Sequence, residues 1–289
     1  MTDSPDRPAL ATALNRHPVA SFVALTLAVS WSLWLPVFLL LPSPTSVAMI
    51  PGGFGPALAA AVMVRTRGNS VRTWLTDCLH WRVAKRWYAV ALGLPVLLGL
   101  AFAVGISVAT GTFEPSNPGR TVALYPVSVL ALALVGGGQE EFGWRGYALP
   151  ALQERWNALA ASVAIGVVWA VWHLPAFLFD VPGYTGSFVG YALLVVGLSV
   201  VFTWLYNSTE GSVLLAMLFH GGINAASGFG ALFVDDPSLG SLSPYAVLTP
   251  VVWVVAVALV ARYGGETLAD GSNEERLQSV EADAREASA

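Results

Sequence analysis

Two adjacent acids and an arginine interrupt an apolar part of the chain, in the stretch GGGQEEFGWRGYALP, residues 136–150. Glu141 and Arg145 are four residues apart with the acid first, which is the favourable order for an ion pair along a helix. Glu140 points about 100° away around the same helix and lies five residues from Arg145. The pattern predicts that Glu141 and Arg145 neutralise each other and that Glu140 is available for chemistry.

Two histidines and an asparagine stand in later apolar segments, and the whole chain contains only four histidines. His173 lies in VWHLPAFLF, where Pro175 is expected to perturb the helix and release backbone groups. His220 and Asn224 are four residues apart in HGGIN, so they share a helix face. The two glycines after His220 permit the close approach of another backbone.

Residue counts place these polar groups at similar depths. Glu140 precedes the polar turn QERWN (153–157) and His173 follows it, so at ~1.5 Å per residue both lie ~25 Å along antiparallel helices. The polar stretch NSTEG (207–211) places His220 and Asn224 at ~16–22 Å by the same measure. We therefore expect the four groups to converge in one layer of a helical bundle.

Such a group of side chains has the parts for hydrolysis by an activated water. A carboxylate and a neutral imidazole that share a water act as a general base, and a second histidine with an asparagine amide supplies donors for a developing oxyanion. The parts fit peptide hydrolysis without a covalent intermediate. A different interpretation is a small-solute transporter that uses Glu140 as its coupling acid, with Glu141 and Arg145 serving assembly alone.

Other protease chemistries fit the sequence less well. The zinc motif H-E-x-x-H is absent, and we expect no cofactor, although Glu140, His173 and His220 leave a divalent metal site open. NAASGFG contains Ser227, but Ala225 replaces the glycine that opens the rhomboid serine motif, and both membrane histidines precede the serine. No pair of aspartates lies in an apolar segment.

The composition predicts a membrane setting for these residues. Of 289 residues, 55% are apolar and 11% charged, against about 25% charged in soluble domains. Lipid requires internally bonded backbone, and no barrel-like alternation is present, so we predict an all-α bundle of eight transmembrane helices with a polar intramembrane cavity. The single cysteine, Cys78, excludes an intramolecular disulfide. The predicted segments are 18–41, 46–64, 87–110, 121–139, 157–179, 187–205, 210–226 and 243–261.

The basic residues predict the orientation of this bundle. Of the 14 Lys and Arg residues, twelve fall in the segments on the side of the N-terminus, Arg120 alone falls on the other side, and Arg145 is within the membrane. The bias predicts a multi-pass protein of the cell membrane with both termini in the cytoplasm.

The chain is predicted to be one transmembrane domain, residues 1–263, with core motifs in 136–226. Residues 65–86 are basic and contain tryptophan, which is typical of a segment lying against anionic headgroups; a substrate-docking surface is the alternative. The second apolar segment is rich in Gly, Ala and Pro, which favours close helix packing. Residues 264–289 are acidic and lack periodicity, so we expect a disordered, solvated cytoplasmic tail.

Three stretches resemble the motifs of a known family. EEFGWRGYALP (140–150) resembles the E-E-x-x-x-R signature of the CPBP intramembrane proteases, which include CAAX prenyl endopeptidases and bacteriocin-immunity (Abi) proteins. WHLPAFLF (172–179) is similar to the second family motif, and HGGIN (220–224) to the third, H-x-x-x-[ND]. With GGFGPALAA, which looks like the family's early helix, the resemblance covers residues 50–226.

The resemblance implies an intramembrane glutamate protease. Glu140 would be the catalytic base, His173 would help to activate the water, and His220 with Asn224 would form the oxyanion site. Glu141 and Arg145 would support that site. We expect the site to open towards the cytoplasm.

The expected partners are membrane lipid and a membrane-associated peptide, such as a prenylated CAAX-type peptide, a bacteriocin or a leader. A non-catalytic binding or immunity protein with the same fold is the alternative. No nucleic-acid partner is expected, and the sequence does not specify an oligomeric state.

Overall fold

The computed structural model describes residues 9–111, 118–184, 186–231 and 244–270, and within these ranges it is helical without a strand. The motif helix is interrupted by a 3₁₀ turn at Gly138–Glu140 and a π-helix at Trp144–Ala148, and a further 3₁₀ turn spans Ser46–Met49. The α-helices are α1 (Ala9–Arg16), α2 (Pro18–Leu40), α3 (Ile50–Gly53), α4 (Gly55–Thr66), α5 (Val71–Cys78), α6 (Lys85–Thr110), α7 (Pro118–Val135), α8 (Glu141–Gly143), α9 (Leu149–Gln153), α10 (Ala158–Trp172), α11 (Leu174–Leu178), α12 (Phe188–Ser208), α13 (Val213–Ala231) and α14 (Pro244–Tyr263).

The helices confirm a polytopic membrane bundle. In the described part of the chain, seven helical stretches are long and apolar enough to cross a membrane. The segment predicted at 210–226 corresponds to a shorter apolar helix, Val213–Ala226. The fourth stretch, Val122–Gln153, continues through the acidic motif as one span, so the motif lies inside the membrane-spanning part of the protein.

Three groups of helices build the bundle. Helix α13 packs between α6 and α7, α12 packs against α10 and α14, and α2 packs against α4. The glycine-rich second segment packs closely, as predicted, because a side chain at Gly52 would overlap the Trp34 indole. Close packing of backbones by small residues is the usual basis of helix association in lipid.

Helix α13 is held against α7 by a glycine next to His220. A Cβ atom at Gly221 would fall 2.5 Å from the Val129 carbonyl oxygen and 2.6 Å from the Ala133 amide nitrogen. Both of these atoms belong to the α7 backbone and cannot move aside alone. The close approach predicted beside His220 is therefore present, and it sets the position of that histidine relative to α7.

The connections divide between two ends of the bundle. At one end, which we call the basic end, the Ser212 hydroxyl donates to the His80 carbonyl (2.8 Å) and the Asn15 amide donates to the Thr66 carbonyl (3.1 Å). At the opposite end, the Tyr245 hydroxyl donates to the Gly183 carbonyl (3.2 Å). The basic end comprises residues 67–70, 79–84, 154–157, 209–212 and 264–270, and the opposite end comprises residues 41–49 and 179–187.

Residues 264–270 pack onto the basic end, which differs from the solvated tail predicted to begin at residue 264. The Leu268 side chain is fully buried, the Asn207 amide donates to the Thr267 carbonyl (2.6 Å), and Asp270 pairs with Arg86 at 2.9 Å. The sequence did not reveal this because one apolar residue within an acidic stretch has no periodicity. The rest of the predicted tail, 271–289, lies outside the described residues.

The glycine contact between α13 and α7 predicts a specific loss of stability. Gly221→Ala forces backbone atoms apart and should lower the free energy of unfolding by about 1–3 kcal/mol, as overpacking does. Gly93→Ala is the matched control, because a Cβ atom at this helical glycine meets nothing within 4 Å. Thermal unfolding in detergent measures both variants, and an equal Tm for the two would contradict the packing argument.

Candidate active site

The acidic motif has an irregular backbone. It passes from a 3₁₀ turn into one α-turn, a π-helix and then α9, and π-helical turns occur frequently at functional sites. Gly137, at φ +124°, begins the motif in a conformation that favours glycine. Its amide donates to the Gln139 side-chain oxygen (2.9 Å), which holds the turn before Glu140 in place.

Glu141 lies at the centre of a buried charge network. One carboxylate oxygen accepts from Arg145 Nη1 at 3.0 Å, which is the predicted ion pair, and the other accepts from His220 Nδ1 at 2.7 Å. Arg145 also donates through Nη2 to the Ser199 hydroxyl (3.1 Å) and lies 4.4 Å above the Phe202 ring. Glu141 is therefore more than the counterion of Arg145, because it also fixes the His220 ring.

Glu140 faces away from this network and towards a cavity. Its Oε2 atom accepts from the Trp169 indole N–H at 3.0 Å. Glu140 lines the cavity, whereas Glu141 and Arg145 do not. The two adjacent acids therefore occupy different environments, one at the cavity wall and one behind it.

His173 is oriented by the same tryptophan. Its Nδ1 atom lies 3.0 Å from the Trp169 carbonyl oxygen, and because a carbonyl only accepts, Nδ1 carries the proton and Nε2 presents a lone pair. The Tyr184 ring stacks on the imidazole at 5.1 Å. Trp169 thus positions both Glu140 and His173, one through its side chain and the other through its backbone.

The perturbation predicted at Pro175 is present. Helix α10 ends at Trp172, and the Ala176 amide donates to the His173 carbonyl (2.9 Å). This leaves the Trp172 carbonyl outside the helical ladder, and the Trp31 indole N–H donates to it at 3.0 Å. The break at His173 is therefore satisfied by a side chain from α2.

His220 and Asn224 lie beside Gly137. The Asn224 amide donates one hydrogen to the Gly136 carbonyl (2.7 Å). A Cβ atom at Gly137 would overlap His220 Nε2 and fall 2.7 Å from Asn224 Nδ2. The absence of a side chain at Gly137 thus keeps the polar atoms of both residues accessible.

The cavity has a volume of about 670 Å³, and all four residues predicted to be catalytic line it. This size is typical of ligand-binding cavities, which combine apolar walls with a few polar groups. Most of the remaining lining is apolar or aromatic, which is less polar than the predicted intramembrane cavity. Representative apolar lining residues are Trp34, Leu98, Phe102, Trp172, Leu198 and Val252.

The open question of a metal ligand set has a geometric answer for the described residues. Among them, no group of three or more His, Cys, Asp or Glu side chains is arranged to hold a metal ion. Both histidine Nδ1 atoms are already bonded within the protein, to Trp169 and to Glu141.

Sequence reasoning missed the residues that hold the predicted ones. Trp169, Ser199 and Gln139 each bond to a motif residue, and Tyr184 and Tyr191 pack on His173. Trp169 lies one helical turn before His173, a spacing that could have suggested it. Ser199 and the tyrosines carry no such signal, because their contacts are made between helices.

Comparison with known proteins agrees with this geometry. A family model described as "Type II CAAX prenyl endopeptidase Rce1-like" matches residues 122–226, which include all three motifs. A protein of Methanococcus maripaludis named CAAX prenyl protease 2 is 25% identical over 227 residues, covering 73% of this chain and 80% of that relative. The chain belongs to the CPBP family of CAAX proteases. It is a CAAX-type intramembrane endopeptidase with several membrane-spanning helices.

The different surroundings of the two acids predict different effects on stability. Glu141→Gln removes the anion between Arg145 and His220 and should cost about 3–5 kcal/mol, because it leaves a buried charge without its partner. Glu140→Gln retains an oxygen that accepts from Trp169 and should leave Tm nearly unchanged. Thermal unfolding of purified protein measures this difference, and equal losses in the two variants would show that the acids are equivalent.

Proposed function

We propose that this protease hydrolyses its peptide by a water molecule activated by Glu140 and His173. The observation that carries the proposal is the convergence of both groups on one cavity with His220 and Asn224. A carboxylate and an imidazole lone pair facing the same cavity suit water activation. The resemblance of the three motifs to glutamate proteases supports the same assignment.

In this reaction Glu140 takes a proton from water as the oxygen forms a bond to the peptide carbonyl carbon. His173 orients the water through Nε2. The carbonyl π-bond opens to give a tetrahedral oxyanion. Glu140 then returns the proton to the amide nitrogen as the C–N bond breaks, which releases an amine and a carboxylic acid.

His220 and Asn224 stabilise the oxyanion. Asn224 contributes from its side-chain amide. Donation from His220 Nε2 requires the doubly protonated ring, because Nδ1–H already bonds to Glu141. The Glu141 carboxylate contacts that ring and offsets its positive charge, while Arg145 keeps Glu141 ionised. Donors aimed at a developing oxyanion are worth about 10²–10³-fold in rate.

The substrate is a membrane-associated peptide that carries an apolar group, such as a prenyl chain. Support comes from the apolar and aromatic walls of the cavity and from the name of the archaeal relative, CAAX prenyl protease 2. The polar groups cluster on one part of the wall, so the peptide bond is held there while the apolar group occupies the rest. The distribution of basic residues supports a location in the cell membrane with both termini in the cytoplasm.

Replacement of Glu140 tests the mechanism. Glu140→Gln should lower kcat/KM for a prenylated fluorogenic peptide in detergent by about 10²-fold or more, the loss expected for a general base. Glu154→Gln, at an exposed carboxylate of the basic end, is the matched control and should retain full activity. Full activity of Glu140→Gln would refute the mechanism, and activity lost to chelators and restored by zinc would indicate metal catalysis.

Replacement of Trp169 tests how the base is positioned. Trp169→Phe removes the N–H that bonds to Glu140 but retains the backbone carbonyl that bonds to His173. The expected result is a lower kcat with a shifted acidic limb of the pH–rate profile, because Glu140 loses a bond to its ionised form. An unchanged pH profile with only a raised KM would mean that the indole merely packs against the substrate.

A further inference from the structure

The cavity reaches only one end of the bundle. Among residues of the described connections, its lining includes Ser46, Val47, Gly183 and Tyr184, all at the opposite end. No lining residue belongs to the connections of the basic end. Ser46 and Val47 are exposed, with 69% of Val47 accessible, so the mouth of the cavity lies at the opposite end.

The polar site forms the inner wall of this cavity. His220 is seven residues from the start of α13 at the basic end, a rise of ~10 Å, and Glu140 is 13 residues from the end of α9, a rise of ~20 Å. Between the site and the basic end, the small cluster of Cys78, Val213 and Met217 is buried. A peptide therefore reaches Glu140 from the opposite end.

The charges define which end faces the cytoplasm. Positively charged residues near the ends of spans are retained in the cytoplasm. In the connections and helix ends of the opposite end, the sequence has Arg120 as its one Lys or Arg. The residues on the basic side are Arg7, Arg16, Arg65, Arg67, Arg72, Arg82, Lys85, Arg86, Arg155, Arg262, Arg276 and Arg285.

From these two observations we infer that the active-site cavity opens on the side of the membrane away from the cytoplasm. The expectation of a cytoplasmic opening is incompatible with cytoplasmic termini, because the mouth and the basic residues lie at different ends. The inference takes its chemistry from the proposed function, whereas the orientation rests on charge and geometry alone.

This orientation narrows the substrate class. A peptide bond that reaches the mouth belongs to a translocated peptide, or to the outward-facing end of a membrane-inserted segment. An apolar chain on that peptide can remain in the outer leaflet while the scissile bond enters the cavity. Cytoplasmic C-terminal tails cannot reach the mouth without crossing the membrane.

Labelling of single cysteines tests the orientation. Cys78 is buried, and burial followed by the nearby Asp77 carboxylate raises the pKa of its thiol to about 12, so it reacts slowly as a neutral thiol. In a Cys78→Ala background, Ser46→Cys and Pro182→Cys report on the mouth, and Glu154→Cys reports on the basic end. All three replaced residues are exposed.

Intact cells are treated with a membrane-impermeant maleimide, before and after permeabilisation. The expected result is that a mouth cysteine reacts fully in intact cells, whereas the cysteine at position 154 reacts only after permeabilisation. The reverse pattern, equal labelling at both ends, or no labelling of either mouth cysteine in intact cells would each overturn the orientation.

An activity measurement extends the test to the substrate. Spheroplasts that express the protein receive an impermeant, prenylated fluorogenic peptide on the outside. The expected rate is the same before and after permeabilisation, and Glu140→Gln spheroplasts give the background. A rate that appears only after permeabilisation overturns the inference. Absence of cleavage even in detergent refutes the proposed function instead, and labelling then decides the orientation by itself.

Discussion

The bond between the Glu141 carboxylate and His220 is the contact on which the arrangement of the site depends. It joins the motif span to α13, and its geometry settles which ring nitrogen of His220 faces the cavity. Arg145 makes the bond sustainable, because a carboxylate without a cation would be too costly to bury among apolar helices. Ser199 and the Phe202 ring then hold the guanidinium. A binding surface needs no such network, but a site that must present one imidazole nitrogen in a fixed direction does.

Trp169 plays the corresponding part on the other side of the cavity. Its indole holds Glu140 and its carbonyl holds the His173 ring, so both groups that face the water are referred to one residue of α10. Because α10 ends one residue before His173, the histidine sits at a break in the helix, where its ring has room to turn towards the cavity. The two halves of the site are thus set by different helices, and their packing determines the distance between them.

The sequence was sufficient for the parts of the fold and site that depend on local spacing. Apolar segment length predicted the spans, the spacing of Glu141 and Arg145 predicted their ion pair, and the glycines after His220 predicted the close approach of α7. It was insufficient where contacts cross between distant segments. Nothing local indicates that Glu141 bonds to a histidine 79 residues away, that Ser199 supports Arg145, or that residues 264–270 pack onto the basic end. The side on which the cavity opens also required the structure, since depth counts gave relative height and no direction.

The order in which the charge network appears during synthesis has a consequence for how the protein is made. The span that carries Glu140, Glu141 and Arg145 leaves the ribosome well before α13, which supplies His220. Until then the arginine is the only partner of Glu141, and each charged group disfavours release of that span into lipid by ~2.5–3.5 kcal/mol. The motif span is therefore held in a protein-lined or hydrated environment until α13 arrives. Completion of the active site and commitment of its most polar helix to the bilayer become the same late step of biogenesis.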